Sequence, residues 1–392
     1  MTDSATNQRM RPALYAFLAL LLGFSSISTD LYLPAMPTME LEFGANHGAL
    51  EWTVSGYLLG FSIGQLFWGP FSDRRGRKLP LAIGISIFIV GSLGCSLAGG
   101  VTVLLLCRIV QALGASAAVV IGRAIVADLY QGRAAAQVLS TLTAIMVIAP
   151  MIGPSLGARI LDWFGWNAIF WFLGVVGVIA LVLLVTILPE THPSQRRANI
   201  DTTSFRDILG NRRLVLYGLI TGAYTAGVFS YVAGSSFAFV SWYGLSPDAY
   251  GLVFGAGALG IIGMNLLNRR MVATRGVDHM LFIGVVIAVV FSALALVAAL
   301  VGVNAWLFGA LLLGYCLSNG LISANALSGG LNTVEHGRGR ASAFLGFTQY
   351  GGGMVGSLIL GFLANGTLMP LVTMLFATSV VCALFASRLH RV

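Results

Sequence analysis

Charge is scarce in this chain. Of 392 residues, 22 are Lys or Arg and 14 are Asp or Glu, 9% in all. Soluble domains carry roughly a quarter charged residues, so the sequence cannot present an ordinary hydrated surface, and a soluble enzyme or a disordered chain is excluded. Cysteine is scarce too. Cys95, Cys107, Cys316 and Cys382 all lie in apolar runs without metal-type spacing, which leaves no disulfide framework. The five histidines are scattered near segment ends, so no metal site is expected. There is no Walker loop and no Ser/His/Asp or Cys/His arrangement, so neither ATP hydrolysis nor enzymatic catalysis is expected, and no cofactor. Gly255, Gly257 and Gly260 fit G-x-G-x-x-G, with Asp278 following, but they lie inside an apolar run where a dinucleotide site would need a preceding strand.

What the chain has instead is hydrophobic length, with 57% of its residues apolar. A spanning helix needs about 20 mainly apolar residues. On that basis the sequence reads as an all-α integral membrane protein with twelve transmembrane helices. They fall near 13–36, 50–71, 79–99, 101–125, 138–161 and 165–188, then 213–233, 248–268, 279–300, 304–327, 341–363 and 368–388. The polar stretch 189–212 separates a first six-helix unit, 1–188, from a second, 213–392. With both termini cytoplasmic, 20 of the 22 basic residues fall on the inner side, leaving only Arg159 outside and Arg108 within a span. The net charge of +8 is therefore a topology signal, and no nucleic acid is needed to explain it. The first run carries Asp30 and lacks a small-residue cleavage site, so it reads as a retained helix rather than a leader.

An internal repeat supports two halves. Gly60, Arg75-Gly76 and Gly84 recur as Gly260, Arg275-Gly276 and Gly284, all at an offset of 200. Asp73 has Ala273 opposite it and Asp30 has Ser230, so acidic chemistry is expected in the first half alone.

Ionisable side chains inside spans are functional candidates by default. Asp30 and Arg108 are the two that stand out, at depths within bridging distance of each other, and a proton-coupling role is expected for them. The alternative is a structural ion pair or, for Asp30, a place in the outer interface, since Pro34 and Pro37 mark the end of its span. Tyr57, Phe61 and Gln65 recur every four residues and share one helix face; Gln111 and Ala115 follow Arg108 on its own face. With Tyr231, Asn319, Gln349 and Tyr350 these are the candidate substrate-binding residues, although an aromatic stripe in a membrane helix also reads as packing. Glu40, Glu42, Glu51, Asp162 and Asp248 read as solvated outer residues, Glu51 lying near a cavity mouth.

Longer motifs carry a family resemblance. The loop from Gly69 to Lys78, with Asp73, Arg74, Gly76 and Arg77, closely resembles the G-x-x-x-D-R-x-G-R-[KR] loop of the major facilitator superfamily. Ala149 to Gly157, with Pro150, Gly153, Pro154 and Gly157, resembles the antiporter motif of its drug/proton branch. Ser28 to Pro37, Leu106 to Gly114 and Leu188 to Thr191 are similar to the bicyclomycin-resistance (Bcr/CflA) subfamily. The resemblance implies two pseudo-symmetric six-helix bundles and a conformational latch between the halves at the Gly69–Lys78 loop, with bending at the span 5 motif. Arg123 and Asp128, near the inner end of span 4, read as cytoplasmic gate residues.

The resemblance further implies proton-coupled efflux of small lipophilic drugs across the bacterial inner membrane. The alternative is an exporter of amino acids, dipeptides or another metabolite with incidental drug transport. Expected partners are small-molecule drugs or metabolites, protons and the lipid bilayer, with the monomer as the working unit.

Overall fold

A computed structural model of the chain describes residues 12–46, 48–129, 152–191, 209–334 and 338–389, and all the regular structure among them is helical. The first part holds α1 (Pro12–Asp30), a single turn at Leu33–Ala35, α2 (Met36–Glu42), α3 (Glu51–Arg75), α4 (Lys78–Ser96), α5 (Val101–Leu129), α6 (152–164) and α7 (Trp166–Ile187). The second holds α8 (Arg212–Ser236) with a wider π turn at Phe237–Trp242, α9 (Pro247–Arg275) and α10 (Val277–Val301). It continues with α11 (Ala305–Leu317), α12 (Asn319–Asn332), α13 (Arg338–Leu363) and α14 (Met369–Leu389).

In lipid every backbone amide must be satisfied within the segment, which selects helices for these apolar runs. Their ends are punctuated by local chemistry. Asn211, Ser246 and Asn304 each accept a hydrogen bond from the backbone N–H three residues on, at 3.1, 3.2 and 2.9 Å, capping α8, α9 and α11. Gly76 and Gly276, the pair related by the internal repeat, end α3 and α9 at φ of 89° and 82°, which only glycine adopts without strain. The first span bends by 43° between Ala13–Phe24 and Ser26–Glu42. At the bend Ser28 Oγ donates to the Phe24 carbonyl at 2.6 Å, a back-bond that distorts helices.

Among the described residues, eight helical runs are long and apolar enough to cross a membrane, taking α8 with its π turn and α11 with α12 as single runs, and nine if the bent first pair is one span. The helices α3 and α13 are not among them, although the sequence reads both as spans. Their composition explains the difference. Each is rich in glycine and polar residues, which lowers its mean hydropathy; they pack extensively on each other and keep only narrow exposed apolar stripes, Leu59, Ile63 and Phe67 on α3 and Val355, Ile359 and Phe362 on α13.

Packing sorts the helices into two groups. One contains α1, α3, α4, α5 and α7; the other contains α8 to α14. Small residues bring the backbones close in both. A Cβ at Gly60 would meet the Ile109 carbonyl, and one at Gly91 the backbone of Gln111; Gly352 and Gly356 lie equally close to Gly222 and Ala226. Between the groups the broadest contact is α3 on α13, joined by the Leu33–Ala35 turn against α8 and α9 and by α2 against the π turn.

Candidate functional site

Arg108 stands at the middle of the first group and is completely buried. Its guanidinium lies between the rings of Tyr32 and Tyr57, 4.3 Å from each centroid, with Phe170 at 6.0 Å. Cation–π attraction of this kind strengthens when water is excluded. Nη1 donates to the Ser28 carbonyl at 2.9 Å and to Gln111 Oε1 at 2.6 Å. Gln111 Nε2 then donates to Ser92 Oγ at 2.8 Å, and Ser92 Oγ to the Phe88 carbonyl at 2.8 Å. Arg108 Nε and Nη2 are buried without hydrogen-bond partners, as is the Tyr57 hydroxyl.

Asp30 lies two residues beyond the carbonyl that Arg108 holds. It faces a cavity of about 200 Å³ between the two helix groups, and among the described residues it makes no ion pair within 4 Å. Arg108 reaches the backbone two residues before it and not its carboxyl group. From α1 the cavity receives Ser26, Thr29 and Asp30; the rest of its wall comes from the second group. Tyr231 and Phe254 stack there with centroids 5.7 Å apart and planes 9° from parallel, and Tyr224 stacks on Tyr315 at 5.9 Å. Asn319 and Tyr350 complete the polar and aromatic edges.

The other candidate substrate residues fall in three places. Tyr231, Asn319 and Tyr350 line the cavity directly. Tyr57 and Phe61 connect it to Arg108: Tyr57 stacks on Phe61 at 6.1 Å, and Phe61 meets Tyr350 across the group boundary at 4.3 Å. Gln65 sits lower on the same face against Gly346, while the Gln349 carbonyl accepts from Thr225 at 2.7 Å. Gln111 and Ala115 are fully buried inside the first group, Gln111 serving Arg108 and Ser92 rather than the cavity.

The span 5 motif meets the site at its base. Gly153 would place a Cβ 3.3 Å from that of Asp30, and Gly157 lies so close to Leu31 that a Cβ would strike its carbonyl. Pro154 is buried beside them. Pro150 lies outside the described residues.

At one end of the molecule the Gly69–Lys78 loop forms an ionic knot. Arg77 is buried and donates through Nε to Asp128 at 2.8 Å and through Nη1 to Asp73 at 2.5 Å. Burial opposes its charge, but the hydrogen bonds and charges of Asp128 and Asp73 outweigh that and hold its pKa above the ordinary value. Glu190 accepts from the backbone N–H groups of Arg77 at 2.8 Å and Lys78 at 3.2 Å, so the Leu188–Thr191 motif caps α4. Gly69 lies against Val120, while Arg74 and Arg123 are exposed. The knot thus ties α3, α4 and α5 to the end of α7, all within the first group.

Sequence reasoning gave Asp278 no role and placed Glu51, the outer acid it singled out, in water. Asp278, at the start of α10, pairs with Arg213 at 2.8 Å and accepts from the Tyr217 hydroxyl, giving the second group an ionic knot of its own at the corresponding end. The 200-residue offset hid it by comparing Asp73 with Ala273, five residues away. Glu51 is not solvated. It is 8% exposed, enclosed at the far end of α3. Glu42 and Asp248 are held as well, by Trp166 Nε1 at 2.7 Å and by Arg159 at 3.3 Å.

A helical membrane protein with a buried charge and a facing acid between two helix groups belongs to the class of polytopic carriers. The model of the Major Facilitator Superfamily matches residues 18–357, and the chain belongs to that family. It is 31% identical to a chloramphenicol resistance protein of Pseudomonas aeruginosa over 94% of this chain and 89% of the relative. A bicyclomycin resistance protein homolog of Haemophilus influenzae is 27% identical over 87% of each. The fold is shared with a D-xylose-proton symporter, at a TM-score of 0.76 over 96% of this chain and 95% of the symporter, with 16% identity. This is a multi-pass membrane protein of a transporter family.

Proposed function

We propose that this protein exports small lipophilic drugs across the bacterial inner membrane in exchange for protons, by alternating access between two six-helix bundles. The bundles are 1–188 and 213–392, joined by a cytoplasmic linker at 189–212. Twelve spans put both termini and the ionic knots in the cytoplasm, and one chain is the working unit. Support for drug export comes from the names of its relatives, which are resistance proteins, and from the aromatic wall around a single carboxyl group.

The observation that carries the coupling is the relation of Asp30 to Arg108. Asp30 faces the cavity with no cation within ion-pairing distance among the described residues, while two donors of the buried Arg108 are left unused. A lone carboxylate is costly in such a setting, so this conformation suits the protonated acid. Once deprotonated, Asp30 would be drawn toward the spare guanidinium donors of Arg108, which already holds the Ser28 carbonyl two residues before it. Proton and drug then compete for one region of the cavity, and the carrier exchanges one for the other.

The cavity is smaller than the roughly 300–1,000 Å³ of drug sites, consistent with a contracted carrier awaiting cargo. The opposite end from the knots is sealed. Ser55 Oγ and Ser357 Oγ share a hydrogen bond at 2.8 Å, Trp52 packs on Phe362 at 5.2 Å, and Gly48 abuts the Gly361 carbonyl. With that outer end closed, exchange takes place toward the cytoplasm.

The test is lumenal pH in proteoliposomes under an imposed proton gradient, for wild type and Asp30→Asn with a small drug panel. Drug-triggered proton movement in wild type and its loss in the variant are expected. Coupled exchange that survives in Asp30→Asn would refute the assignment.

A further inference from the structure

Glu51 begins α3 at the sealed outer end, where it is buried and lines a small cleft at the boundary between the helix groups. The cleft that receives it is built almost wholly from the second group: Gly234 and Phe237, Leu360, Asn365 and Thr367, and Pro370. None of these is ionisable. The carboxyl group has no Lys, Arg or His nitrogen within 4 Å among the described residues. Of the other ionisable groups, Glu40 on α2 acts on it as a like charge, and Tyr32, held by Thr53 at 3.0 Å, lies on its inner side. Among the described residues the α3 N-terminus, including its own backbone N–H, is the feature that favours the anion.

The seal closes around this residue. One turn along α3, Ser55 bonds Ser357; beside it Trp52 packs on Phe362. The two groups cannot separate here without drawing Glu51 out of its cleft, and they cannot rejoin without burying it again. A buried carboxylate with another acid near it and no cation among the described residues is strongly disfavoured, whereas the neutral acid is not. We propose that Glu51 is the proton sensor of the outer gate, taking a proton from the external solution each time the gate closes and returning it there each time the gate opens.

This rests on the alternating-access reading above and adds a second titrating point to it. The proton at Glu51 leaves by the side it entered, so Glu51 adds nothing to the number of protons carried across. It sets how readily the outward-open carrier returns. The sign is fixed: closing takes up a proton, so acid favours the closed gate and alkali the open one. For one proton the ratio of closed to open falls by up to about tenfold per pH unit.

The gate can be read with spin labels at Leu41 and Trp242, which are 84% and 50% exposed on α2 and the π turn, elements that touch across the boundary. The full chain, with its four cysteines replaced by serine and transport retained, is placed in lipid nanodiscs between about pH 5 and 9. The short distance should dominate in acid and give way to a longer one in alkali. Glu51→Gln should hold the short distance throughout, and Glu51→Met, neutral and of similar length, should do the same if the first variant accumulates poorly. Glu51→Asp should keep the titration. Asp30→Asn should also keep it while losing drug-driven proton movement, which separates failure of the gate proposal from failure of the coupling proposal. A neutral variant whose gate titrates as wild type does would overturn the inference, as would a wild-type gate that ignores pH.

Discussion

Arg108 and Tyr57 are expected to be energetically coupled, and a double-mutant cycle measures the coupling. The guanidinium is fully buried and lies 4.3 Å from the Tyr57 centroid. A cation–π contact is worth about 0.5–1 kcal/mol at the surface and about 2 kcal/mol when desolvated, so an interaction energy of about 1–2 kcal/mol is expected. Arg108→Lys keeps the charge but not the flat fork. It also endangers one of the two hydrogen bonds to Ser28 and Gln111, each worth about 1.5–3 kcal/mol for a charged donor. Arg108→Lys alone should therefore cost about 2–4 kcal/mol. Equilibrium unfolding in mixed micelles of wild type, Arg108→Lys, Tyr57→Leu and the double variant supplies the cycle. Additivity to within about 0.5 kcal/mol would refute the stacking of Tyr57 and leave Arg108 held by the Tyr32 ring and its hydrogen bonds.

Two further outcomes are expected. Gly157→Leu should push α6 away from Leu31, lowering stability by about 1–3 kcal/mol through overpacking and slowing drug-driven proton release, with Gly157→Ala between it and wild type; unchanged exchange in the leucine variant would deny the close approach a role. Glu190→Ala should uncap α4 at a cost of about 0.5–2 kcal/mol, seen as faster amide hydrogen exchange at Arg77 and Lys78, and unchanged exchange there would show that the cap carries no weight.

Much of this arrangement is legible in the sequence. Apolar length gives the helices, Gly76 marks a turn that needs positive φ, and Asp30 and Arg108 stand out as charges inside apolar runs. Their true relation does not. Arg108 binds a backbone carbonyl and two rings, and a carbonyl has no letter in the sequence. Gln111 shares the face of Arg108, which makes it a plausible cavity residue until α4 is placed against it at Gly91. Glu51 shows the same limit. A first-turn acid beside a loop reads as solvated, and only the arrival of α13, α14 and the π turn buries it. Partners distant in the chain decide these cases, and local pattern is silent about them.

The mutual packing of α3 and α13 has a consequence for how the protein is made. Neither helix is among the runs long and apolar enough to cross a membrane, and α13 is the last but one to be synthesised. At about 5–20 residues per second, α3 emerges on the order of tens of seconds before the helix that covers its glycine-rich face. During that interval the nascent chain must shelter a half-polar segment, against α5 on one side and the insertion machinery on the other. Truncated or slowly translated chains would expose it, which makes the α3 surface the natural point for membrane quality control to inspect.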